Sequence, residues 1–166
     1  IKVWNSENKT TFDGQNYTIS NLTMSTASTE KKPFSLFSGT ADIKNVKFNN
    51  ANISGYSYVA VVAGNLYGNI ENCHVSNAEI ECHVKNNDAN GDKCGAIVGH
   101  AGNAGVVVKD CTATDCAISA GRDAGQIVGA ALKVNVTGCS ASNVTVTANG
   151  EGTGANIRNE VIGRLL

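Results

Sequence analysis

Proline, methionine and tryptophan each occur once in 166 residues, and aromatic residues make up only 5%. A core without many rings has to be filled by Val, Ile, Ala and Cys, small and β-branched residues that suit stacked strands better than helices. With a single proline, the chain must turn on its 18 glycines. Charge is scarce as well: 16% charged residues and a formal net charge of -1 give no general electrostatic case for nucleic acid or an anionic membrane surface. No apolar run approaches the roughly 20 residues that a membrane helix needs, so no transmembrane segment is expected. An initiator Met and a signal-like leader are also missing, because the chain starts at Ile1-Lys2-Val3-Trp4. It reads as one domain cut from a longer chain, whose other domains would be partners, and the unfinished apolar pattern Ile162-Gly163-Arg164-Leu165-Leu166 reads the same way.

What the sequence does contain is a repeat. Units of form x-x-x-hydrophobic-x-Gly run as Phe34 to Gly39, Val59 to Gly64, Cys94 to Gly99, Ala124 to Gly129 and Arg158 to Gly163. Between them stands hydrophobic-x-Asn-hydrophobic or a near variant: Ile43 to Val46, Ile70 to Cys73, Val108 to Cys111 and Val136 to Cys139, with Ile19 to Leu22 as an earlier copy. Aligned, the copies form columns. One holds Ile19, Ile43, Ile70, Val108 and Val136; others hold Asn21, Asn45, Asn72, Asp110 and Gly138, then Asn50, Asn77, Asp115 and Asn143. Within a copy the apolar period is two, broken twice by an Asn, Asp or Gly, residues that tolerate left-handed backbone at a corner.

Two strands joined by a tight corner, a looser corner and a glycine-ended third strand make a three-sided coil. Stacked coils make an all-β, right-handed parallel β-helix, about five coils at roughly 4.8 Å each. Residues 1–166 then form one solenoid domain, with an N-terminal cap over 1–11 bearing Trp4 and coils over 12–166. No window sustains the 3.6-residue period of a helical repeat. The third and fifth copies are lengthened at the same corner, by Lys85 to Lys93 and by Gly150 to Gly154 with neighbours. Insertions at one corner project from one edge, where solenoids often place contacts.

The stretch Cys94-Gly95-Ala96-Ile97-Val98-Gly99-His100, leading to Val108-Lys109-Asp110-Cys111-Thr112-Ala113-Thr114, resembles the GLUG repeat. The likeness runs from about Phe12 to Gly163, with Val61, Ala96, Gln126 and Glu160 where the motif prefers Leu, so the array rather than any one copy carries it. The resemblance implies a secreted or surface-anchored bacterial protein, adhesin-like, as in gut Bacteroides-type surface proteins and IgA-protease-type peptidases, where the repeats are accessory. It implies a scaffold and an extracellular or outer-surface location, and no catalytic residue. The zinc-peptidase signature His-Glu-x-x-His is absent from the sequence.

Candidate chemistry is sparse. Cys73, Cys111 and Cys139 share a column and are expected to form a ladder of buried thiols, with Cys116 also in the core. Cys82 and Cys94 flank the long insertion; a disulfide closing it, worth about 2–3 kcal/mol, and a pair of free thiols both fit the spacing. His74, His83, Cys82 and Cys94 offer metal-ligand types, but adjacent strand residues face opposite sides, which argues against one tetrahedral site. His100 reads as a solvated turn residue. Hydrolysis or elimination needs clustered carboxylates; Asp42, Glu71, Asp110 and Asp115 read as corner residues or a charge-balanced stripe, so no catalytic constellation, metal or cofactor is expected. The Asn column reads as a side-chain amide ladder. Tyr56, Tyr58 and Tyr67, together with Lys85, Asp88, Asp92 and Lys93 of the insertion, are the candidate contact edge for a host glycan or extracellular protein. The alternative for the tyrosines is that they cover the corner. Beyond an adhesin-like scaffold, a polysaccharide-binding or polysaccharide-degrading module and a structural spacer remain open.

Overall fold

The computed structural model describes residues 9–83, 92–149 and 154–166, together with the backbone of 4–6. Its regular elements are all β-strands, and no helix among the described residues is long and apolar enough to cross a membrane. Every strand pairing is parallel, and the strands form three sheets. A long sheet is built on Asp42–Gly55, Ile70–Cys82, Thr112–Ala120 and Ser140–Ala148. A short sheet holds Pro33–Phe34, Ser57–Val59, Lys93–Cys94, Asp123–Ala124 and Asn156–Ile157. A glycine sheet holds Trp4–Ser6, Phe37–Gly39, Ala63–Leu66, Val98–Ala101, Val128–Ala131 and Ile162–Leu165. From Asp42 onward the chain visits long, short and glycine sheets in that order, repeatedly. That order is compatible with a parallel β-helix.

The apolar columns form the core. Ile43, Ile70, Val108 and Val136 lie in register, as do Ile53, Ile80, Ile118 and Val146. Ile43, Ile53, Ile70, Ile80 and Ile118 are among the fully buried side chains, with Phe48 the largest; each such side chain contributes about 1.5–3 kcal/mol of burial. Phe12 closes on this core with its ring centroid 4.7 Å from that of Phe37. The side chain of Trp4, and residues 1–3 and 7–8 of the expected cap, lie outside the described residues.

Left-handed backbone occurs where the columns place Asn, Asp and Gly: Asn21, Asn45, Asn50, Asn72, Asn77, Asp110, Asp115, Gly138 and Asn143 all have positive φ. Two expectations need correction, however. Asn45 and Asn50 lie inside the single strand Asp42–Gly55, as Asn72 and Asn77 do in Ile70–Cys82. They therefore bend one sheet instead of separating two, and the remaining side is the short sheet. The first copy is also displaced: Ile19 pairs with Phe48, while Phe12 stands beside Ile43. Asn72 donates to Asn45 at 2.8 Å as an amide ladder requires, but Asn45 donates on to Asp13, and Asn21 instead accepts from Asn50 at 2.7 Å.

Candidate functional site

Each glycine-ended unit turns the chain from the short sheet into the glycine sheet: Cys94 lies in Lys93–Cys94 and Gly99 in Val98–Ala101. The two sheets approach so closely there that a Cβ on Gly99 would stand 2.7 Å from the Tyr58 backbone carbon and 2.8 Å from the Gly64 carbonyl oxygen. Two polar columns border this seam. In the glycine sheet Asn65, His100, Ala130 and Arg164 are in register, each directly following a repeat glycine. In the short sheet Lys93, Asp123 and Asn156 are in register, with Tyr58 one layer away, next to Val59 that pairs with Cys94.

The side chains connect across the seam. The Tyr67 hydroxyl accepts from Asn65 Nδ2 at 2.9 Å, and Asn65 Oδ1 lies 3.0 Å from His100 Nδ1. The His100 ring stacks on Tyr58, with centroids 5.5 Å apart and planes inclined by 23°. Lys93 Nζ sits 5.0 Å from the Tyr58 ring centroid, in cation–π range. Beyond it, Asp123 is fully buried and accepts from Asn156 Nδ2 at 2.6 Å and from Arg164 at 3.1 Å, with Arg122 Nε at 3.6 Å. Tyr58 holds this place at φ 48°, and is the only aromatic residue among the described left-handed positions. A bulky side chain there is strained.

Burial and neighbours set the charges. His100 is half-buried, a correction to its reading as a solvated turn residue; burial, reinforced by Lys93 and opposed by Asp123, pushes its pKa down to about 4. Asp92 is fully buried, and neither carboxylate oxygen makes a well-formed hydrogen bond among the described residues. Burial raises its pKa to about 6; Asp123 adds to the rise, while the Cys82 thiol, the Gly121 amide and Lys93 counter part of it. Lys93 is pushed down chiefly by burial, against the pull of Asp123.

These shifts act oppositely on stability. The depressed pKa of His100 contributes stability that is complete above its ordinary 6.5 and lost as pH falls toward about 4. The raised pKa of Asp92 contributes stability that is complete below its ordinary 3.8 and lost as pH rises toward about 6. Melting temperature between these limits is therefore expected to be flatter in the native protein than in either variant. With His100→Gln it should fall as pH rises from 4 to 6, and with Asp92→Asn it should rise. Thermal scans at stepped pH check this, and parallel profiles for all three proteins would refute it.

The structure brings together Tyr58, Tyr67 and Lys93 of the expected contact edge. Tyr56 is instead buried at another corner, its ring 6.1 Å from that of His83, and Asp92 is enclosed. Lys85 and Asp88 lie outside the described residues. The seam also recruits Asn65, His100, Asp123, Asn156 and Arg164, which the sequence reading did not gather. The position after each repeat glycine was a usable signal for Asn65, His100 and Arg164.

All six cysteines are free thiols, Cys82 and Cys94 included. Cys82 donates to the Tyr56 carbonyl oxygen at 3.2 Å, and burial pushes the Cys94 thiol well up. Cys73 and Cys111 touch through their thiols, and the Cys111 amide donates to Cys139 Sγ at 3.4 Å. Of the surface acids, Glu71 is bound to Lys109 at 2.8 Å, Asp42 accepts from the Asn69 amide at 2.8 Å, and Asp115 accepts from Asn143 at 2.5 Å. Among the described residues no group of three His, Cys, Asp or Glu side chains is placed to hold a metal ion. No family model, curated protein or solved structure matches this chain.

Proposed function

We propose that the chain is a right-handed parallel β-helix of about five GLUG-like coils with an N-terminal cap, serving at a bacterial surface or outside the cell as an adhesin-like scaffold. The fold reading is supported by the recurring order of three parallel sheets and by the strong right-handed preference of parallel crossovers. The functional reading rests on one observation, the continuous row Tyr67–Asn65–His100–Tyr58 along the seam. Tyr67 is 42% exposed at one end of it. Aromatic faces beside directed amide and imidazole groups suit a surface that grips a glycan or an extracellular protein.

Glycan and extracellular-matrix arrays test this. The native protein should bind members of at least one array, and Tyr67→Ala and Tyr58→Ala should each weaken that binding about ten-fold or more. Tyr67→Ala should leave the melting temperature unchanged, because its ring is exposed. Binding to neither array, or binding that both variants retain in full, overturns the proposal.

A further inference from the structure

We infer that the corner hollow beside Tyr67 takes a neutral pyranose, its C–H face on the Tyr67 ring and its hydroxyls on Asp42, Asn69 and Asn103. The inference rests on the reading of the seam as a glycan-binding face, at whose Tyr67 end the hollow lies. It adds the chemical class of the ligand and the residues that select it.

Unequal corners make the hollow. Between the glycine sheet and the long sheet the chain turns through residues 40–41, 67–69, 102–106 and 132–134 in successive layers. The shortest turn thus stands two layers from the longest, whose Asn103, Ala104 and Gly105 are exposed. These turns border a hollow of ≈ 500 Å³ whose lining includes Asp42, Tyr67, Asn69, Asn103 and the exposed Lys9, a volume in the range of small-molecule sites. Gly68, also in the lining, packs so tightly on the preceding turn that a Cβ there would run into the Ala41 carbonyl group.

The polar groups of the hollow are held in place and only partly used. Asp42 Oδ1 accepts from the Asn69 amide at 2.8 Å, and Asn69 Oδ1 accepts from the Val107 amide at 3.0 Å, so both side chains are tied to backbone. Asp42 Oδ2 faces Lys9 Nζ at 3.7 Å, longer than a hydrogen bond. Asn69 Nδ2 and the side-chain amide of Asn103 have no partner among the described residues. The Tyr67 hydroxyl accepts from Asn65 at 2.9 Å and keeps its own proton to donate. Gly102 lies so near that a Cβ on it would stand 3.0 Å from Tyr67 Cε1, which steadies the exposed ring. Unused donors and an acceptor thus accompany one aromatic face. Sugar hydroxyls, each both donor and acceptor, match that mixture, and the negative face of the ring suits the C–H face of a pyranose. Lys9 and Asp42 are the charged side chains of the lining and balance each other, so the hollow has no net charge to favour an ion.

Saturation-transfer NMR titrations with the methyl glycosides of galactose, glucose, mannose and N-acetylglucosamine test the inference, with methyl galacturonoside as the charged comparison. At least one neutral glycoside should bind the native chain, in the millimolar range open to a ligand of about a dozen heavy atoms. Raising salt should change that affinity less than about two-fold. Asn103→Ala and Asn69→Asp should each lower it about five-fold or more; the second keeps an acceptor for the Val107 amide and replaces only the donor. Asn103 is exposed, so its variant should melt with the native protein and carries the test even where Asn69→Asp fails to fold. If array glycans bind through Tyr58 and Tyr67 but no neutral glycoside does, or both asparagine variants bind as well as the native chain, the inference fails while the seam remains a glycan site. It fails likewise if methyl galacturonoside binds more tightly than every neutral glycoside and loses affinity with salt, or if matrix proteins bind and no sugar does. If neither the arrays nor these glycosides register binding, the inference and the glycan reading beneath it fail together.

Discussion

Gly99→Ala is expected to lower the melting temperature by roughly 6–12 °C, the equivalent of about 3 kcal/mol at ~2–4 °C per kcal/mol for a chain of this size. The added methyl would lie 2.7 Å from the Tyr58 backbone carbon, 2.8 Å from the Gly64 carbonyl oxygen and 2.9 Å from the Val59 amide nitrogen. All three atoms are backbone, so no side chain can swing aside. Relief requires the short and glycine sheets to part, which also loosens the Tyr58–His100 stack at the seam. Gly105→Ala is the control: its backbone is left-handed at φ +86°, but a Cβ there meets nothing within 4 Å. That substitution carries only a conformational cost, about 1–2 kcal/mol. Thermal unfolding of the two variants side by side decides the matter, and the steric account fails if Gly99→Ala unfolds no earlier than Gly105→Ala.

The same glycine shows what the sequence made legible. Spacing alone placed Gly64, Gly99 and Gly129 in one structural role and stacked Ile43, Ile70, Val108 and Val136, because a long strand repeats its apolar period often enough to be counted. The left-handed corners were legible for a chemical reason, since few residues besides Asn, Asp and Gly adopt that backbone cheaply. The short sheet was not. Its strands are two or three residues long, too brief for any period. One of its registered columns holds Lys93, Asp123 and Asn156, which share no side-chain property that an alignment would notice. The displaced register of Ile19 has a related cause: Thr11–Asp13, Thr18–Ser20 and Thr23–Ser25 divide among three short strands the work of one long strand. The phrase Ile19-Ser20-Asn21-Leu22 then matches the motif of the first Asn column while occupying the second. Tyr58 and Tyr67 were singled out for being aromatic in an aromatic-poor chain, and both lie along the seam; Tyr56, grouped with them, is carried round a corner by two residues of sequence and is buried there.

Asp123→Ala is expected to cost about 3–5 kcal/mol, because it leaves the buried Lys93 and the partly buried Arg122 and Arg164 without their counter-charge. Asp123 has no solvent exposure and binds Arg164 at 3.1 Å, with Arg122 at 3.6 Å and Lys93 in register beside it. Asp123→Asn keeps the shape and an acceptor oxygen, so its cost should be smaller but clearly measurable in denaturant titrations. A double-mutant cycle isolates the pair: if Asp123 and Arg164 act together, Arg164→Gln should cost about 0.5–3 kcal/mol less in the Asp123→Ala background than alone. Additive losses would show that the ion pair is incidental.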